Sequence, residues 1–330
     1  MNNSSLFQGA LLGVFTLAAL IGLFVFASHS NQSQTGLDAK VVIWGTLPGE
    51  KVGSLLTSLV SIDTSFKNVS YVEKPSSVLS GDLARAIATG EPPDLILASH
   101  EDLFSIERLV LSLSTDIVPP ATFNATFPQA TQIFALPDGS GYYGLPFLID
   151  PLVLYANQNL LASAGITRAP TTWEGLTGLT SSSLVSLSST RQVSRVLIPL
   201  GTYDNVDHAR GILSALFLQV GVPVVRYTNG GYVPDLEGAG KNGDAVVDFY
   251  TQFADPSKVS YTWNASLPSA QRSFLSGQAA FYLGYGSERD FLKSANPNVA
   301  VALSPLPQPK QKVDAGVKTA YGLFLSLIHI

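Results

Sequence analysis

The chain has 330 residues, enough for two ordinary domains, with 46% hydrophobic and only 13% charged residues, about half the usual charged share. Its formal net charge is -5, and no block of Lys and Arg stands out, which excludes a nucleic-acid footprint. The absence of Cys excludes thiol catalysis, Cys-based zinc sites and a lipid-modified Cys anchor.

The first element is apolar from Leu6 to Ala27, and no charged residue precedes Asp38. A stretch of roughly 22 apolar residues can cross a hydrocarbon core of about 30 Å. A retained signal anchor and a cleaved signal peptide are both open, with Val25-Phe26-Ala27 as a cleavage site; a buried core helix is the third reading. Either of the first two exports the rest of the chain. Residues 31–36 (NQSQTG) read as a polar stalk, so 1–36 form a leader.

From Val41 the pattern becomes strand, helix, strand, helix, strand. Val41 to Trp44 is a β-branched run ended by Gly45, and Val52, Leu55, Leu56 and Leu59 fall on one face of a helix over 49–60. Val69 to Val72 is the next strand. Residues 80–88 follow as a helix with Leu83, Ala84 and Ile87 spaced for one face, and Leu95 to Ala98 is a third strand after GEPPD. This order predicts an α/β fold with a sheet at least partly parallel.

The run Gly141 to Leu161 (GYYGLPFLIDPLVLYANQNLL) is apolar almost throughout. Pro146 and Pro151 break it into pieces too short for a membrane span. It reads as a crossing strand over 145–149, a turn at Asp150-Pro151 and a buried strand over 152–155. A helix then stops at Gly165, and Thr171 with Glu174 has capping-box spacing for the next. Residues 180–194 form a Ser-rich loop, and 196–198 a strand. Helices are expected over 209–220, 245–253 and 270–275, a Gly-rich loop over 229–243, and strands over 279–283 and 299–303.

Chemistry-bearing motifs are few. There is no HExxH and no GxSxG, and of the four His only His100 and His208 lie away from the ends. Gly238, Gly240 and Gly243 match GxGxxG but follow no strand, so they read as a surface loop. Asp204 to Asp207 (DNVD) lacks the glycine of a calcium loop. Acids such as Asp150, Asp204 and Glu288 leave a glycosidase pair open, without requiring one.

Four stretches in order resemble the family 1 extracellular solute-binding proteins of ABC importers, the group that includes maltose-binding protein: VVIWGT, ATGEPPDLILAS, GYYGLPFLIDPLVLYANQNLLASAGITRAPTTWEGL and FLSGQAAFYLGYGS. The resemblance covers roughly 40–324. It implies a two-lobe, periplasmic-binding-protein-like α/β fold with crossing strands and an interlobe cleft, preceded here by an N-terminal membrane helix. Lobe 1 is then 37–147, lobe 2 is 148–302, and 303–324 are the second crossing and the start of the return.

The resemblance further implies an extracytoplasmic receptor, anchored or secreted, that captures a sugar or similar polar solute for ABC permease subunits. It implies a monomer with no catalytic residue, cofactor or metal. An exported carbohydrate-active enzyme and a sensory or scaffold module are the alternatives. Ligand contacts are expected from Trp44 and Thr46 after the first strand, and from Ser99, His100 and Glu101 after the third. Asp150 at the crossing, Tyr203 and Asp204 in the second lobe, and Tyr285, Ser287 and Glu288 after AFYL complete the set.

The final LSLIHI, residues 325–330, is readable from the transposase adaptor used in library preparation. It is therefore expected to be a non-native tail on a truncated gene, which would leave the family frame without its last hundred or so residues; a genuine apolar strand end is the alternative.

Overall fold

The computed structural model describes residues 40–228, 231–236, 243–310 and 318–326. The expected membrane helix and stalk, most of the GAGKNG motif and residues 327–330 lie outside them. Among the described residues no helix is long and apolar enough to cross a membrane. The chain divides into two compact units, one running to Ile149 and resuming at Thr319, the other covering Asp150–Lys318.

The first unit is built on strands β1 (Val41–Gly45), β2 (Val69–Glu73) and β3 (Leu95–Ser99). β1 pairs in parallel with both of the others, as expected of strands separated by helices. Helices α1 (Gly49–Ile62) and α2 (Ser76–Thr89) make those connections. α1 buries Val52, Leu56 and Leu59 as the spacing predicts. α2 begins earlier than expected and buries Leu79, Leu83 and Ala86, while Ala84 is exposed. The buried stripe differs from the expected one because Leu79 belongs to the helix and sets its phase.

β3 shows how the sheet is covered on both faces. Leu95 and Leu97 pack with Val41, Ile43 and the α1 leucines, whereas Ile96 and Ala98 pack with Leu79, Leu83 and Phe134. This is the period of two of a strand read against two layers of helix.

Short strands β4 (Val110–Leu111), β5 (Leu113–Ser114) and β6 (Gly141–Tyr142) lead to β7, which is continuous over Leu145–Asn157. The turn expected at Asp150-Pro151 is absent. Pro151, which has no N–H to offer, sits one residue before the ladder of the second unit begins at Leu152, so no backbone bond is lost there.

In the second unit β7 is flanked by antiparallel partners. β12 (Phe281–Tyr285) runs from Phe281 opposite Ala156 to Tyr285 opposite Leu152, and β13 (Val301–Ser304) pairs on the other side. The segment Val196–Ile198 is buried and meets Ala279 through a parallel bridge rather than a full strand. Two hairpins, β8 (Ser186–Leu187) with β9 (Val193–Arg195) and β10 (Val225–Thr228) with β11 (Gly231–Pro234), take up part of what read as loop. The core joins Leu154, Tyr155, Phe281 and Tyr282 of the sheet to Trp173, Phe253, Trp263 and Phe274.

The helix Trp173–Thr177 starts one residue later than expected. Its N-cap is Thr172, which accepts the Gly175 N–H at 3.1 Å; Thr171 instead accepts the Gln308 N–H through its backbone carbonyl. Residues 303–310, expected to form the second crossing, belong to the second unit. β14 (Lys318–Ser326) returns to the first unit and pairs antiparallel with β3. Leu325 and Ser326 of the suspected tail take part in it, facing Leu111 and Val110.

Candidate functional site

Within the second unit, Asp150, Tyr285, Ser287 and Glu288 come together at the end of β12. The turn Tyr285–Glu288 is held from three sides. The Tyr155 hydroxyl donates to the Tyr285 carbonyl at 2.6 Å and to the Gly286 carbonyl at 3.2 Å. Asp150 Oδ1 accepts the Ser287 N–H at 2.9 Å. Glu288 Oε1 turns back to accept the Tyr285 N–H at 2.6 Å. Tyr155 is fully buried, so the clasp is anchored in the core, while Ser287 is exposed and Tyr285 half-buried.

Glu288 is the centre of a larger network. Its Oε1 also meets His208 Nε2 at 2.8 Å, and its Oε2 accepts from the Tyr282 hydroxyl at 2.7 Å and from Gln271 Nε2 at 2.9 Å. Burial raises the cost of the Glu288 charge, but these donors outweigh it and hold the carboxyl below its ordinary range. Burial likewise opposes charge on His208, yet the bond to Glu288 and the fields of Glu288, Asp207 and Asp150 raise its imidazole above the ordinary value. The Tyr282 hydroxyl is pushed up by burial and by Glu288. Glu288, expected as a ligand contact, is thus committed to internal partners, and its local role is to shape the turn that carries Tyr285.

His208, absent from the expected contacts, sits immediately before the helix Ala209–Gln219 with a left-handed backbone at φ 62°. Its ring and that of Tyr285 are nearly perpendicular, at 79°, with centroids 4.9 Å apart. The other loop of this unit, 202–205, is fixed from below. Trp263 Nε1 donates to Thr202 Oγ1 at 2.9 Å and to Asn205 Oδ1 at 3.1 Å, Thr202 and Asn205 bond each other, and the Tyr250 hydroxyl donates to the Thr202 carbonyl at 2.6 Å. Tyr203 and Asp204 are carried on this rigid base with both side chains exposed. Two hollows of about 790 and 730 Å³ elsewhere in the unit are lined by none of these residues.

In the first unit the expected residues gather around Asp102. Ser99 caps helix α3 (His100–Ile106): its Oγ accepts the Asp102 N–H at 3.2 Å, while Asp102 Oδ2 takes the Ser99 N–H at 3.1 Å and hydroxyl at 2.7 Å. Thr46 Oγ1 lies 3.4 Å from the same carboxylate oxygen. His100 accepts the Ala320 N–H on Nδ1 at 3.2 Å, tying α3 to β14, and Glu101 is exposed beside it. Trp44 is half-buried with Lys74 Nζ 4.2 Å from its ring centre, and that ammonium also pairs with Asp82 at 2.7 Å. Asp102 was missed, although Ser99 and Asp102 have the spacing of a capping box.

Each of the two α/β units thus carries aromatic and polar side chains on segments that follow strand ends. The bacterial extracellular solute-binding protein model matches residues 67–326, and the chain belongs to that family. No curated protein sequence matches it. Among solved structures it is similar to a cyclo/maltodextrin-binding protein complexed with maltotetraose, at 18% identity and a TM-score of 0.65, over 90% of this chain and 72% of that one. It is also similar to CpMnBP1 with mannotriose bound, at 16% identity and a TM-score of 0.57, over 88% of this chain and 74% of that one.

Proposed function

We propose that the chain is the extracytoplasmic substrate-binding component of an ABC importer and that its solute is a carbohydrate. One observation carries the reading: Tyr285 stands on a turn that the core holds and that Asp150, from β7, braces through the Ser287 N–H. A saccharide offers apolar C–H faces that stack on aromatic rings and hydroxyls that hydrogen-bond to carboxylates, so this pair has the two chemistries it needs. Tyr203 and Asp204 offer the same pairing on the 202–205 loop. The two similar structures, each with an oligosaccharide bound, support the choice of solute class. Trp44, Thr46, His100 and Glu101 are the contacts proposed in the first unit, with Ser99 and Glu288 acting through the segments they cap.

Ligand closure would present the loaded receptor to permease subunits, and the chain itself performs no reaction in this account. Anchoring by the N-terminal segment is part of the proposal and rests on its composition alone. A thermal-shift panel of oligosaccharides, polyols and polyamines on the full chain tests the solute class. A saccharide should raise the melting temperature as its concentration passes Kd. Stabilisation by polyamines alone would replace the carbohydrate assignment.

A further inference from the structure

We infer that His208 is a positioning residue of the same site, orienting the Tyr285 ring through its ring contact and the turn through Glu288. This rests on the reading that Tyr285 faces the solute, and the geometry behind it is local. A single side chain touches both ends of the feature to be positioned, with its ring 4.9 Å from that of Tyr285 and its Nε2 2.8 Å from the carboxylate that holds the Tyr285 N–H.

Three further features set His208 apart from an ordinary half-buried histidine. Its backbone is left-handed, at φ 62° and ψ 22°, a conformation that is strained for a non-glycine residue and persists only where the surroundings impose it. The Tyr285 hydroxyl closes over the start of the helix Ala209–Gln219, so that a Cβ built on Gly211 would lie 2.9 Å from it, and Gly211 leaves the room that the ring needs. Glu288 has no slack, because its other oxygen is held by Tyr282 and Gln271.

The acids that face His208 are Glu288 in direct contact and Asp207 and Asp150 at longer range, while Tyr285 supplies an aromatic neighbour. A protonated imidazole binds Glu288 as an ion pair, and its charge acts on the tyrosine ring 4.9 Å away. Loss of that proton weakens both contacts. The orientation of Tyr285 therefore follows the charge on His208.

The experiment labels the full chain with 3-fluorotyrosine and follows the Tyr285 resonance, assigned by its loss in Tyr285→Phe. In the wild type it should shift with pH along a single titration above the ordinary histidine value, and in His208→Asn it should stay flat. Asn is chosen because it tolerates the left-handed backbone and does not titrate. Glu288→Gln serves as the second variant and should move the midpoint down. A resonance that is flat in the wild type, or that titrates unchanged in His208→Asn, overturns the inference.

This readout needs no ligand, so it stands apart from the carbohydrate assignment. With a saccharide bound by the wild type, His208→Asn should weaken affinity about tenfold, the equivalent of one hydrogen-bonding group. Unchanged affinity at all pH values would also count against it.

Discussion

Asp150 Oδ1 accepts the backbone N–H of Ser287 at 2.9 Å. The bond continues, with a side chain, the ladder in which Tyr285 faces Leu152, and it ties the start of the β7 segment in the second unit to the turn after β12. Asp150 was expected to be a turn residue or a ligand contact. Its position in an unbroken strand lets one carboxylate oxygen brace the turn while the group as a whole stays half-buried.

Substitutions at Asp150 should therefore separate bracing from contact. Asp150→Ala removes both and should cost about 1–2 kcal/mol of stability, the usual value of a hydrogen bond to a charged group at a partly exposed site. Asp150→Asn keeps an acceptor for Ser287 and should recover most of that stability without restoring saccharide affinity. Urea midpoints beside binding titrations check this; full affinity in Asp150→Asn would mean that the charge does not touch the solute.

Tyr155→Phe deletes one buried hydroxyl and nothing else. It leaves the Tyr285 and Gly286 carbonyls without their core donor and should destabilise the protein by about 1–2 kcal/mol. The midpoint of urea unfolding should fall while the slope stays constant, since the surface exposed on unfolding is unchanged. An unaltered midpoint would show that the clasp contributes nothing.

The His208–Glu288 pair makes stability depend on pH with a definite sign. The folded value of His208 lies above its ordinary 6.5, so its contribution is complete below 6.5 and is lost as pH rises through the raised value. The folded value of Glu288 lies below its ordinary 4.5, so its contribution is complete above 4.5 and is lost as pH falls through the depressed value. The pair therefore supports the fold fully between pH 4.5 and 6.5. Chemical denaturation across pH should show that window in the wild type and a flatter profile in Glu288→Gln; parallel profiles would remove the pair from the account.

Much of the frame was legible because its residues report their own environment. The run Leu95 to Ser99 is apolar at nearly every position, as a strand covered on both faces must be, and the helix over 49–62 carries its stripe openly. The errors came where a neighbour decided the outcome. The proline at 151 implied a turn, but an unpaired position in the ladder absorbs it. Thr171 and Thr172 are equally good caps by type, and the bridge between Thr172 and Gln308 settles which one is used.

The site was legible at the level of segments and less so at the level of roles. The turn after β12 was located, yet Glu288 read as a contact because its partners His208, Gln271 and Tyr282 come from three separate elements. Tyr155 was missed for the same reason, whereas the partner of Asp102, Ser99, lies only three positions away. A buried tyrosine in a strand looks like core packing, and the sequence carries no sign that its hydroxyl reaches two carbonyls 130 and 131 positions away.

Isothermal titration of the full chain with maltotetraose and mannotriose, with spermidine as a control, decides whether the solute is a carbohydrate. At least one saccharide should bind saturably, and that binding should be lost in Tyr285→Ala and Asp150→Ala proteins that remain folded. Heat from spermidine alone, or saccharide binding that survives both substitutions, would contradict the proposed function.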